Sequence, residues 1–391
     1  MPKKVCSKGF EGGQEMKNVL FLCNTVYQVM VACWINHTYY KGDNTDIIVS
    51  DHMNDFEGVA TRIREQGIFR EVYSIRSRDY VYKPETFDNS VKAQIKRSLQ
   101  PEKQMGHIIR FRRKYDVMIA SNLDTITQLI FNVLKNDRRS KVGNKDLKLY
   151  LFEDGIITYS RLFLSYYNEC KNKSVSMKHR LFDKICNNEY IYGNITGMYL
   201  FNPELMMYKP DWELIPIKKI DKNDDLFRRQ LNYIFRYDQM NDSYDRKIIF
   251  MEESLYIGEK KRPDLELLNR IADEVGKENI MVKIHPRNPE NIFENEGYKT
   301  NKNTAIPWEL ILINNDFSDK RLITIGSSSV LNPVTVFGIS IKTYSLYNCL
   351  AEKPVILKGD FWDCIKYQYG VYSDCIKIYD SIEEIIDDIK H

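Results

Sequence analysis

The sequence predicts an α/β protein built from two Rossmann-like domains that face each other across a cleft. Apolar, strand-type runs alternate with amphipathic helical runs, first over residues 17–160 and again over 247–344. A stretch punctuated by Pro203, Pro210 and Pro216 separates the two series. With 391 residues, the chain also exceeds what one hydrophobic core usually serves. The expected division is a first domain over 16–215, a linker over 216–245 and a second domain over 246–391.

Residues 17–23 (K-N-V-L-F-L-C) read as a first buried strand, followed by the turn Asn24-Thr25 and a helix from Val29 to about Tyr39. Strands follow at 46–50 and 72–75, with a helix over 56–66 that stops at Gly67. The lysine- and arginine-rich stretch 92–114, including Arg110, Arg112 and Arg113, reads as one or two helices with a basic face. A strand over 115–120 and a helix over 124–134 lead to the apolar run 147–152, which stops at Glu153-Asp154-Gly155. From 161 to 190 the pattern loosens into interleaved tyrosine, lysine and asparagine, as an insertion, a lid or an oligomer contact would.

A helix is expected over about 224–237, the polar stretch 238–245 closes the linker, and residues 247–251 open the second series. A helix over 263–275 carries Asp264 and Glu266 in its first turn, where the helix dipole favours them. The strand 279–284 ends at His285-Pro286, and Pro307 is placed to begin a helix reading P-W-E-L-I-L-I. A strand over 321–325 breaks at Gly326-Ser327-Ser328-Ser329 before a helix expected over 330–337. Residues 339–344 form the last clear strand, and 381–390 an amphipathic terminal helix opened by a serine cap.

Composition excludes several functions. A net charge of +3 with 28% charged residues gives no argument for nucleic acid. The eight cysteines form no Cys-x-x-Cys pair and no zinc-type cluster, so they read as free thiols of a reducing compartment. No apolar run reaches membrane-spanning length. Residues 1–15 lack the apolar core of a signal peptide. The folded chain is expected to begin at Met16, with E-G-G-Q-E before it reading as a translated ribosome-binding site. Neither series carries a Gly-x-Gly-x-x-Gly or Walker-type loop, which argues against dehydrogenases and P-loop nucleotidases.

Three strand ends could carry chemistry, because ligands of open α/β sheets bind at the carboxyl ends of strands. Glu153-Asp154-Gly155 delivers two carboxylates there, although Asp-Gly is also a common turn pair. His285 closes a strongly apolar strand, held extended by Pro286, and suits a general acid or a partner for a departing phosphate. Gly326-Ser327-Ser328-Ser329 offers hydroxyls and free N–H groups to an anion, or one of its serines simply caps a helix. Glu309, in the first turn of the P-W-E-L helix, could cap that helix or bind a ribose diol. The absence of any Asp-x-Asp triplet disfavours metal-dependent handling of a nucleotide diphosphate.

An acidic pair followed by glycine in the first domain, then His-Pro, then paired serines in the second resembles the bacterial sialyltransferases of GT-B fold. The opening L-C-N-T-V-Y-Q and the P-W-E-L segment resemble glycosyltransferase family 52, the lipooligosaccharide and capsule sialyltransferases. That resemblance implies inverting, metal-independent transfer of sialic acid from CMP-sialic acid to a terminal galactoside of a bacterial surface glycan, with no cofactor. Asp154 would be the general base, and His285 the general acid or the donor that stabilises the departing phosphate. Ser327 and Ser328 would hold that phosphate, with Gly326, Ser329 and Pro286 beside them, and Glu309 the ribose. Asn24, Thr25, Gln28, Glu153 and Gly155 would lie on the acceptor side. A cytoplasmic location, peripheral contact of the basic stretch with an anionic membrane, and a homodimer are the associated expectations. The alternatives are a GT-B transferase using a UDP-hexose, and a two-domain sugar- or nucleotide-binding protein without catalysis.

Overall fold

In the computed structural model, the described residues are 16–78, 96, 99–172, 189, 191–237, 242–256, 259, 261–304 and 306–391. They build two parallel sheets. The first contains β1 (Asn18–Cys23), β2 (Asn44–Ser50), β3 (Glu71–Ile75), β4 (Val117–Ala120), β5 (Lys148–Phe152), β6 (Ile195–Leu200) and β7 (Glu213–Pro216), in the order β3-β2-β1-β4-β5-β6-β7. The second contains β8 (Ile248–Met251), β9 (Ile280–Lys283), β10 (Lys299–Thr300), β11 (Arg321–Thr324), β12 (Lys342–Ser345) and β13 (Ile376–Ile378), in the order β10-β9-β8-β11-β12-β13.

Both sheets begin with the Rossmann order 3-2-1-4, in which the chain reverses its direction of travel between the first and fourth strands. That reversal opens a crevice between β1 and β4 in one domain and between β8 and β11 in the other. Apart from Asn18, Arg321 and Thr324, the central strands β1, β4, β8 and β11 are apolar, and all but the first residues of β1 and β11 are buried, as in helix-covered parallel strands. Two Rossmann-like domains arranged in this way are the GT-B architecture that the sequence predicts.

Several elements depart from the sequence reading. The linker-like stretch contains the edge strand β7, whose Pro216 stands at the strand's end, where a missing N–H costs no ladder bond. Residues 161–172 are not irregular but form the helix Arg161–Asn172. The rest of the stretch expected to loosen, 173–188 and 190, lies outside the described residues. So do 1–15 and most of 79–98, which include the start of the basic stretch; its described part contains the short helix Pro101–Met105. The helix expected after the serines is a 3-10 turn, Ser328–Leu331, continued by Asn332–Val336. The helix Asp360–Val371 and the strand β13 were not anticipated.

The domains are tied by polar contacts near the cleft floor. Asn202 Nδ2 donates to the Thr335 carbonyl at 2.9 Å, and the Ile220 N–H to the Val336 carbonyl at 2.9 Å. Asn232 and Asn314 exchange amide hydrogen bonds of 2.8 and 2.7 Å between the linker helix Asp225–Phe235 and the helix Trp308–Asn314.

Candidate active site

Strand β5 ends on Glu153 because the next residues cannot continue a ladder: Gly155 adopts φ 74°, a left-handed conformation that only glycine takes without strain. The tight 3-10 turn Ile156–Tyr159 follows, and the Thr158 hydroxyl accepts the Asp154 N–H at 2.9 Å. The two carboxylates of this strand end then diverge. Glu153 is 3% exposed and takes three donors from the chain itself: the Tyr27 hydroxyl at 2.7 Å, the Tyr159 hydroxyl, and the Phe201 N–H at 2.8 Å. Burial raises its pKa, and those donors work against the rise. Glu153 therefore ties the helix after β1, the turn after β5 and the end of β6 together.

Asp154 is half-buried and keeps its carboxylate free of such a clamp. Burial of the carboxyl raises its pKa, and the Gln28 amide opposes that rise. Gln28 is 0% exposed; its Oε1 accepts the Asn24 N–H at 2.6 Å, while its Nε2 finds no partner in hydrogen-bond geometry. A buried amide with one end bonded and the other directed toward Asp154 supports a base rather than an acceptor sugar.

The residues expected on the acceptor side have partners within the chain at this crevice. Asn24 is buried, accepting from the Ser50 hydroxyl at 2.7 Å and donating to Asp124 at 3.3 Å. Thr25 caps the helix Val26–Tyr39 by accepting the Gln28 N–H at 3.2 Å. With Gln28 and Glu153 also turned inward, these residues are the scaffold of the strand ends. Gly155 remains on the half-buried rim.

In the second domain, the His285 N–H donates to Glu252 Oε2 at 2.9 Å. The Arg287 N–H donates to His285 Nδ1 at 3.2 Å, which makes Nδ1 the acceptor and leaves the proton on Nε2. Burial first, then the charges of Lys283 and Arg287, lower the His285 pKa to about 4. Its imidazole is therefore neutral near pH 7, and Nε2–H has no partner among the described residues. Pro286 fixes the exit of the chain.

At the crevice of the second sheet, Glu253 Oε1 accepts the Thr324 hydroxyl and the Gly326 N–H, each at 2.7 Å. Burial raises the Glu253 pKa to about 7. A Cβ on Gly326 would meet the Trp362 ring at 2.9 Å, so the loop packs on that indole only because the residue is glycine. The Ser327 and Ser329 hydroxyls bond each other at 2.6 Å, and the Ser328 hydroxyl has no partner among the described residues. Glu309 is 7% exposed; the Asn332 amide donates to it, and burial raises its pKa. Its own backbone N–H also favours the charged form, and its charge is felt at Tyr27 of the first domain.

Sequence reasoning missed Lys283, Glu252 and Glu253. Lys283 is 7% exposed, and its ammonium makes no hydrogen bond or ion pair among the described residues; burial lowers its pKa against the pull of Glu309 and Glu252. Two positions before His285, it shares a strand face with it, a period-two signal present in K-I-H. Met251-Glu252-Glu253 is also a strand ending on an acidic pair, the same pattern as Phe152-Glu153-Asp154. Among the described residues, no group of three or more His, Cys, Asp or Glu side chains gathers as a metal site.

A family model described as Alpha-2,8-polysialyltransferase (POLYST) matches residues 19–346, which include the first sheet from Val19, the second sheet up to β12 and the strand ends of the site. The chain belongs to the alpha-2,8-polysialyltransferase family. Membership makes it a glycosyltransferase, in keeping with the resemblance to sialyltransferases read from the motifs. No curated protein matches the chain. Among solved structures, it is similar to the glycosyltransferase of kitacinnamycin (11% identity, TM-score 0.46, covering 95% of this chain and 87% of that one). It is also similar to SsfS6 from Streptomyces sp. SF2575 complexed with thymidine diphosphate (10%, 0.46, 94% and 88%). A third is UGT89C1 from Arabidopsis thaliana complexed with UDP (11%, 0.41, 84% and 80%). Likeness at this level says nothing about the donor of a polysialyltransferase-family protein.

Proposed function

We propose that the protein transfers sialic acid from CMP-sialic acid to the non-reducing end of a bacterial surface glycan, with inversion and without a metal. The observation that carries this is the pairing of a free, pKa-raised Asp154 in one domain with a neutral His285 and a serine loop in the other. Asp154 takes the proton of the acceptor hydroxyl. That oxygen then bonds to the anomeric carbon as the bond from that carbon to the phosphate oxygen breaks, and CMP departs with the electron pair. A pKa raised by burial makes the ionised Asp154 a stronger base than an exposed aspartate.

With its pKa held near 4, His285 acts by donating Nε2–H to the phosphate rather than as a charged acid. The Ser328 hydroxyl and the linked Ser327–Ser329 pair add donors to the same anion. Preorganised donors of this kind are each worth on the order of 3 kcal/mol at a developing oxyanion. Lys283, on the strand that leads to His285, is a further donor to this side of the cleft, and Glu309 takes the ribose diol. The description of the family favours a sialylated acceptor over the plain galactoside expected from family 52.

The test is to measure nucleotide release and glycan extension with CMP-sialic acid and with UDP-hexoses, on galactoside- and sialoside-terminated acceptors. CMP release coupled to extension of the sialylated acceptor is expected. Turnover with a UDP-hexose alone would replace this reading with another nucleotide sugar, and binding without turnover would replace it with a non-catalytic protein.

A further inference from the structure

The Asp154 carboxylate does not stay over its own strand. Strand β4 lies between β1 and β5, and its Ala120 stands opposite Leu22 on one side and Leu151 on the other. Yet the groups that feel Asp154 belong to β1 and the helix after it. The Gln28 amide opposes the burial that raises the Asp154 pKa, and after burial and Cys33 the Asp154 charge raises the pKa of Cys23. The carboxylate therefore leans across the end of β4, where the chain reads Ser121-Asn122-Leu123-Asp124. This end borders the point where the strand order reverses, the place where open α/β sheets bind ligands.

The loop after β1, on the other side of that point, has its polar groups spent: Asn24 on Ser50 and Asp124, and Thr25 on its helix cap. The loop after β4 is pinned at its far end. Asp124 accepts the Thr127 N–H at 2.8 Å and the Thr127 hydroxyl at 2.9 Å, and the Leu123 carbonyl accepts the Tyr192 hydroxyl at 3.2 Å. Its near end is left open. Ser121 is 7% exposed, and its buried hydroxyl has no hydrogen-bond partner. Asn122 is half-buried, and its amide has no partner among the described residues.

A buried hydroxyl left unpaired costs stability, and a ligand that completes it removes the cost. An amide presents donors and an acceptor together, and a serine hydroxyl serves as either. That set matches the hydroxyls on neighbouring carbons of a sugar, each of which both donates and accepts. It does not match a phosphate, which takes donors alone, and residues 121–124 include no lysine or arginine.

We propose that Ser121 and Asn122 seat the acceptor, hydrogen-bonding the hydroxyls that neighbour the one Asp154 deprotonates. The inference rests on the reading of Asp154 as the base. It assigns the acceptor side to the loop after β4 in place of Asn24, Thr25, Gln28 and Glu153. In this role Asn122 touches the sugar and fixes which hydroxyl lies against the Asp154 carboxylate.

The experiment titrates sialoside- and galactoside-terminated oligosaccharides into the wild type, Asn122→Ala and Ser121→Ala without donor. Steady-state transfer is then measured with donor and acceptor varied separately. Asn122→Ala should weaken acceptor binding and raise the acceptor KM on the order of 10-fold, with the donor KM unchanged. Asn122→Leu, close in volume, should show the same split and guards against a folding defect read as lost binding. Ser121→Ala should raise the acceptor KM several-fold while its melting temperature holds or rises, because the unpaired hydroxyl is gone. Wild-type acceptor binding in both Asn122 variants, or an equal rise in donor KM, overturns the proposal. So does a wild type that binds neither oligosaccharide. A Ser121→Ala variant with a lower melting temperature and an unchanged acceptor KM would return that hydroxyl to a packing role. Failure of the donor reading is separate: turnover with a UDP-hexose alone would remove CMP-sialic acid, and the donor-free titration would still decide the role of Asn122.

Discussion

The Tyr369 hydroxyl donates to the main-chain carbonyl of Ser327 across 2.7 Å. On the same helix, Asp360–Val371, the Cys364 thiol meets the carbonyl of Ile156 at 3.7 Å, and Trp362 lies against Gly326. One helix of the second domain therefore touches both the serine loop and the turn that follows Asp154. The two halves of the site share a rigid spacer.

Tyr369→Phe removes the hydroxyl that holds the Ser327 carbonyl. Loss of one buried hydrogen bond costs about 1 kcal/mol, readable as a lower melting temperature. With the serine loop in its proposed role of holding the donor phosphate, the donor KM should rise several-fold while the acceptor KM stays unchanged. Steady-state kinetics with each substrate varied separately checks this.

Gln28→Met removes the amide that favours the ionised form of Asp154 while keeping similar bulk. The sign is fixed: without that donor, burial raises the Asp154 pKa further, and Asp154 in its proposed role as base needs to be ionised to act. The acid limb of the kcat profile should move to higher pH, so that turnover falls more in mildly acidic than in mildly alkaline buffer. An unmoved acid limb would assign Gln28 a packing role only.

Glu253→Gln tests the anchor of the serine loop. The folded-state pKa of Glu253 is about 7 against an ordinary 4.5, so the folded protein holds this proton more tightly than the unfolded chain. Its contribution to stability is complete below about 4.5 and is lost as pH rises through about 7. Glutamine keeps an oxygen for Thr324 and the Gly326 N–H but does not titrate. Between about pH 5 and 8 the variant should therefore lose about 1–2 kcal/mol less stability than the wild type. Parallel urea titrations across that range measure the difference.

Much of this site could be read from the chain because its parts end strands, and an apolar run stopped by polar residues is a local signal. Glu153-Asp154, His285-Pro286 and the serines each have that form. What could not be read depends on partners distant in sequence. Nothing near Asn24 or Gln28 indicates that Ser50, Asp124 and Asp154 turn them inward. The strands β10 and β13 are too short to show a period, and β7 was hidden by its prolines. The helix Asp360–Val371 mixes Trp, Cys and Tyr with charged residues in a pattern without a clean apolar face. Glu252-Glu253 and Lys283 were legible by the same strand-end and alternation rules and were passed over.

The most direct measurement is transfer from CMP-sialic acid by Asp154→Asn, read beside its circular dichroism spectrum and melting temperature. The account predicts an intact fold, wild-type donor affinity and a kcat lower by about 10²–10⁴-fold, since general-base help of that size is removed. Near-normal turnover in the folded variant would contradict it.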